Sequence, residues 1–168
     1  MRSLRMDIFA DIDAFRIAGL PMHPLLVHAT VVLTPLTALT VAIVALWPTA
    51  RRHLGYAPPI AALVVAGLAP VTVLAGESLA ETVGETPAVE RHESLGRLLI
   101  PWTIALLIAA VAVAVSDRMV RRLRRTNAGA ARALTVIIAG AAVIAAVGTI
   151  VVTVLTGDTG AQAVWGGV

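Results

Sequence analysis

The 168-residue chain has no cysteine and no lysine, few aromatics (three Trp, one Tyr, two Phe) and charge on only 14% of its positions. Without thiols there can be no disulfide, iron–sulfur cluster, thiolate zinc site, c-type haem attachment or cysteine nucleophile. Any metal must therefore be held by His, Met or carboxylate. Charge this sparse also excludes a soluble globular domain, in which about a quarter of the residues are charged. Here 58% of residues are hydrophobic and mean hydropathy is +0.90. Phosphate-binding glycine loops are missing too: Gly157-Asp158-Thr159-Gly160-Ala161 follows a helical pattern rather than a strand and reads as a helix stop. His92-Glu93-Ser94-Leu95-Gly96 lacks the second His of a zinc-peptidase helix. No Ser-His-Asp set stands at a telling spacing, so the chain is not expected to be an enzyme by itself.

What is present is a series of long apolar blocks. Crossing the hydrocarbon core takes about 20 mostly apolar residues, and four charge-free windows qualify or nearly so, at about 25–47, 59–76, 98–115 and 133–157. The middle two are slightly short and are expected to run on into polar flanks. No period-two alternation supports a barrel, so the fold class is all-α, an integral membrane four-helix bundle. Residues 20–168 form this four-span domain. Residues 1–19 differ: Leu4, Ile8, Ile12 and Phe15 recur at helical spacing among Asp7, Asp11, Asp13, Arg5 and Arg16. They predict a short N-terminal amphipathic interfacial helix, and the acidic residues and missing apolar core argue against a signal peptide.

All 13 basic residues are Arg, and they set the orientation. The first and third connections carry Arg51, Arg52, Arg118, Arg121, Arg122, Arg124, Arg125 and Arg132, against Arg2, Arg5, Arg16, Arg91 and Arg97 on the other side. The positive-inside bias predicts a bacterial inner-membrane protein with both termini outside. The basic cluster is a topology signal or a contact with anionic lipid headgroups, each Arg contributing about 1 kcal/mol. Membrane lipid, not nucleic acid, is the expected partner.

Ala62, Ala66 and Ala69 on the second span, and Ala141, Ala145 and Gly148 on the fourth, place small residues at helical spacing for close packing. Thr30, Thr34 and Thr37, and Thr149, Thr153 and Thr156, form hydroxyl stripes read as packing features. Pro35 and Pro70 are expected to kink their spans. With no charge inside any span, an ion has little to use, which argues against a transporter.

Three of the four His converge on the predicted outer side: His23 and His28 at the start of span one and His92 before span three. His53 lies among the inner arginines and reads as an ordinary loop residue. His28 precedes a long charge-free run, so it is expected to point into the bundle. His23 lies about 140° away around a regular helix and is read as a cap or headgroup contact unless the chain turns at Pro24. Neutral imidazole is the usual haem ligand and a common metal ligand. His28 with His92, and His23 as substitute, therefore make a candidate pair for one haem b, with Glu77 or Asp158 orienting an imidazole. The alternatives are copper or zinc held by Met22, His23, His28 and His92, or no cofactor in a structural bundle that assembles with a larger membrane complex; a redox partner or further copies of the chain are the other expected partners.

Leu20-Pro21-Met22-His23-Pro24-Leu25-Leu26-Val27-His28 resembles the opening His-Pro-x-x-Val-His signature of a bacterial four-helix membrane family, domain of unknown function 2231. The resemblance continues through Gly76-Glu77, Glu90-Arg91-His92-Glu93 and the stretch from Gly157 to Gly166, and covers about residues 20–168. It implies a four-helix inner-membrane fold similar to small two-haem b-type cytochromes. A single inner-side His departs from the two-haem pattern, so one haem at most is implied, for electron transfer or redox sensing at the outer side.

Overall fold

The computed structural model describes residues 16–17, 20–83 and 86–165. A two-residue antiparallel pair, β1 (Arg16–Ile17) with β2 (Leu20–Pro21), leads into α1 (Met22–Leu46), α2 (Pro48–Leu54), α3 (Ala57–Val83), α4 (Pro87–Thr126) and α5 (Ala128–Trp165). The four long helices contain the four expected spans, and each is long and apolar enough to cross a membrane. Most of the predicted N-terminal amphipathic helix over 1–19 lies outside the described residues, and its described part, Arg16 and Ile17, is extended rather than helical.

Local chemistry rather than hydrophobicity ends the helices. Pro48 cannot donate and pushes Trp47 to an extended conformation (φ −119°, ψ 100°), which breaks α1 from α2. Gly55 closes α2 at φ +52°, where a side chain would be strained, and its N–H donates to the Arg51 carbonyl. Thr86 caps α4, its Oγ1 accepting from the Val89 N–H at 3.3 Å, with Pro87 at the first helical position. Asn127 alone separates α4 from α5. Its N–H donates to the Leu123 carbonyl, and its Oδ1 accepts from the Ala130 N–H at 2.9 Å. The expected third loop is therefore a continuous helical hairpin. Pro35, Pro70 and Pro101 lie within helices that run through them unbroken.

The helices form a four-sided bundle in which α1 packs on α3 and α5, and α4 packs on α3 and α5. The diagonal pair α1 and α4 also meet across the centre. Small residues fill the axis: Ala38, Val41, Ala62, Leu106, Ala110, Ala142 and Ala146 are all but inaccessible. On α5 the packing ridge is Ala142, Ala145, Ala146 and Thr149, whereas Ala141, expected on it, faces outward. Leu25, Val32, Leu36, Ile60, Ile108, Ile137 and Ile144 face away from the bundle. A lipid solvent makes that exposure favourable, so close van der Waals packing between small residues holds the helices together.

Trp102 of α4 lies against Gly148 so closely that an added Cβ there would overlap the indole ring, and the Thr149 hydroxyl donates to both the Ala145 and Trp102 carbonyls. Gly148→Ala is expected to destabilise the bundle by about 1–3 kcal/mol, as overpacking of a filled core does. Thermal unfolding in detergent checks this, and an unchanged Tm contradicts the contact.

Candidate functional site

His23 lies in the first turn of α1, beside Pro24, whose missing N–H costs nothing where no helical partner exists. Its Nδ1 donates to the Thr72 carbonyl of α3 at 3.0 Å. The ring rests on Gly76, where a Cβ would come within 2.8 Å of its Cε1. His92, in the second turn of α4, repeats this contact with α5. Its Nδ1 donates to the Thr156 carbonyl at 2.9 Å, and its Cε1 would lie 2.9 Å from a Cβ on Gly160. A carbonyl oxygen can only accept, so both rings carry their proton on Nδ1, and a neutral ring keeps its lone pair on Nε2. The two rings face each other edge to face, centroids 6.2 Å apart and planes at 85°.

This repetition extends through the bundle. Counting from each histidine along α1 and α4, the buried positions fall in step: Thr30 with Leu99, Thr34 with Thr103, Thr37 with Leu106, Val41 with Ala110, Val44 with Val113. Counting back from each glycine along α3 and α5, Ala75 pairs with Thr159, Ala69 with Thr153, Val65 with Thr149, Ala62 with Ala146 and Pro58 with Ala142. The chain is thus two parallel two-helix units, α1–α3 and α4–α5, related by a pseudo-two-fold axis along the bundle, as in transporters built from parallel repeats. The imidazoles meet on that axis.

His28 does not join them. It is exposed, and its Nδ1 contacts the Pro24 carbonyl of its own helix at 2.5 Å. The expected inward orientation of His28 is corrected for a geometric reason: α1 begins at Met22, the backbone does not turn at Pro24, and five residues of regular helix put His28 about 140° from His23. The reading of His23 as a cap or headgroup contact falls with it. Glu77 and Asp158 do not orient an imidazole either, since backbone carbonyls do so. Glu77 accepts from Arg97 Nε at 2.9 Å while Glu93 accepts from Arg97 Nη2 at 2.5 Å, a brace between α3 and α4 at the rim. Asp158 accepts from Gln162 at 2.8 Å. Met22 opens α1 and is half-buried. Among the described residues no three His, Cys, Asp or Glu gather as a metal site, so the four-donor set of Met22, His23, His28 and His92 is not assembled. His53 lies exposed on α2, its Nδ1 on the Thr49 carbonyl at 2.9 Å.

A second anchor, absent from the sequence reading, holds the opposite end. Arg51 reaches back to the end of α1, donating from Nε to the Val44 carbonyl at 2.9 Å and from Nη2 to the Ala45 carbonyl at 3.0 Å. Its Nη1 pairs with Asp117 Oδ1 of α4 at 2.9 Å. The only sequence signal was Asp117 itself, a lone acid before the arginine run. From His23 to Val44 along α1 is about 32 Å at 1.5 Å per residue, close to the roughly 30 Å of a hydrocarbon core.

Four helices long and apolar enough to span, with polar contacts tying them at both ends, define a polytopic membrane protein. The chain belongs to the family of predicted membrane proteins described as domain of unknown function 2231, whose profile matches residues 19–168. Among curated proteins and among solved structures nothing matches.

Arg51→Ala removes both the carbonyl contacts and the ion pair and is expected to destabilise the protein by about 1–3 kcal/mol. Asp117→Asn, at a carboxylate 41% exposed, is expected to cost under about 1 kcal/mol. Paired unfolding curves in detergent measure the difference. Equal effects would remove the carbonyl contacts from the account.

Proposed function

We propose that His23 and His92 are the two axial ligands of one haem b and that the protein serves one-electron transfer or redox sensing at that rim. The observation that carries this reading is the imidazole pair on the symmetry axis. Each ring is fixed by an Nδ1–H to carbonyl bond, the arrangement that orients metal-binding histidines and leaves Nε2 as the ligand atom. A metal–imidazole bond is about 2.0–2.1 Å, and two such bonds with the half-widths of two rings come to nearly the 6.2 Å between centroids. Gly76, Ala75, Gly160 and Thr159 keep the neighbouring faces of α3 and α5 small beside the pair.

A haem iron held by these two imidazoles would supply one-electron exchange rather than substrate activation. The residues here do the holding. Thr72 and Thr156 lend carbonyls that set each ring's tautomer, and Gly76 and Gly160 set its depth. The Arg97 brace ties α3 to α4 near the pair. By the positive-inside bias, the arginine end is cytoplasmic, and the termini and the imidazole pair face the outer side of an inner membrane. Two donors fall short of the three protein ligands a zinc site ordinarily needs.

Absorption of protein purified from its own membranes tests the reading. A Soret band is expected in the wild type and in His28→Ala, and its loss is expected in His23→Ala and in His92→Ala. A band that survives both single substitutions, or no band in the wild type, overturns it. Elemental analysis of the same preparation then distinguishes bound copper or zinc from a bundle without a cofactor.

A further inference from the structure

The α4–α5 hairpin runs about ten residues beyond the Arg51–Asp117 anchor before turning at Asn127, roughly 15 Å past that ion pair. Along it stand Arg118, Arg121, Arg122, Arg124, Arg125 and Arg132, and among the described residues none is in an ion pair, because the one nearby acid, Asp117, is taken by Arg51. A cleft of about 480 Å³ opens between the two helices near their turn, its lining including Val120, Ala131, Thr135 and Val136 together with Arg124 and Arg132. Its lining is graded by depth. Val136 and Val120 lie within about 1–5 Å of the anchor plane along their helices, whereas Arg132 and Arg124 lie about 8–10 Å beyond it. The polar headgroup layer is roughly 5–8 Å thick on each face. The apolar side chains thus stand nearer the span and the two arginines farther out, the order in which a phospholipid presents its acyl chain and its phosphate.

We infer that this cleft is a binding site for a single anionic phospholipid, its phosphate held by Arg124 and Arg132 and its upper acyl chain lying against Val120 and Val136. The guanidinium fork suits phosphate oxygens. Six unpaired cations concentrated on one hairpin favour a lipid of net negative charge over a zwitterionic one. Apolar lining below the arginines distinguishes this site from one for a free anion. The inference is independent of any cofactor at the opposite rim.

Native mass spectrometry of the full chain in detergent, titrated with phosphatidylglycerol, phosphatidylcholine or inorganic phosphate, tests it. One phosphatidylglycerol per chain is expected to be retained well above phosphatidylcholine, with millimolar inorganic phosphate failing to displace it. Arg124→Ala with Arg132→Ala is expected to weaken retention about thirtyfold, whereas Arg118→Ala with Arg121→Ala, outside the cleft, should weaken it less than threefold. Val136→Trp, which fills the floor without changing charge, should also weaken it. Equal losses in the two double variants, equal retention of phosphatidylcholine, displacement by inorganic phosphate, or no effect of Val136→Trp would each overturn the site.

Discussion

Inside a bilayer a polar side chain can bond only with what the bundle itself offers, and the most abundant acceptor there is the helix carbonyl oxygen. The structure is organised by this constraint. His23 and His92 each donate to a carbonyl of the adjacent helix, Arg51 donates to two carbonyls left free by the end of α1, and the Thr149 hydroxyl bridges carbonyls of α4 and α5. Thr72, Thr153, Thr156 and Thr159 bond back to their own helices. Thr30 and Thr72 join hydroxyl to hydroxyl between helices, at 2.9 Å. Among the described residues one buried side-chain atom is left without a partner, Thr34 Oγ1. Because a carbonyl can accept a second bond, these contacts fix helix against helix without breaking either backbone ladder. Where such a contact presses a ring close to a helix, glycine makes room.

Four spans were legible because hydrocarbon selects uncharged stretches, and that selection is written in composition. Helix ends were not, because Pro48, Thr86 and Asn127 set them through backbone chemistry that hydropathy does not register. The third connection is the clearest case: seventeen residues rich in Arg read as a loop, yet Asn127 is its only non-helical residue. Arginine is a good helix former, and α4 and α5 continue to pack on each other beyond the membrane.

The choice between His23 and His28 failed for an instructive reason. Depth was inferred from the charge-free run after His28, but depth does not fix rotation, and α1 is apolar almost all round. Rotation was nonetheless recoverable. Thr30, Thr34 and Thr37 are buried, and His23 precedes Thr30 by seven residues, nearly two full turns, which puts it on that stripe. His28 precedes it by two, which puts it on the other side. A hydroxyl stripe in an apolar helix marks the face turned toward protein, and reading it as a phase marker would have selected His23. The symmetry was hidden more deeply. Corresponding positions share the imidazole, the glycine beneath it and a buried Thr, but few other residues, and the two units are joined through connections of unequal length.

This duplication also limits what the imidazole pair can do. Its polar surroundings on the bundle axis, Thr30, Thr34, Thr37, Thr72, Thr103, Thr149, Thr153 and Thr159, give way toward the arginine end to Ala38, Val41, Leu106, Ala110 and Val113. That stretch is close-packed, and it separates the imidazoles from Ser116, Asp117 and Arg51 at the other end. An isolated ion in such an apolar stretch is costly. The two ends of the bundle are therefore held by separate polar contacts, the imidazoles on carbonyls of α3 and α5 at one end and Arg51 on Asp117 and the end of α1 at the other.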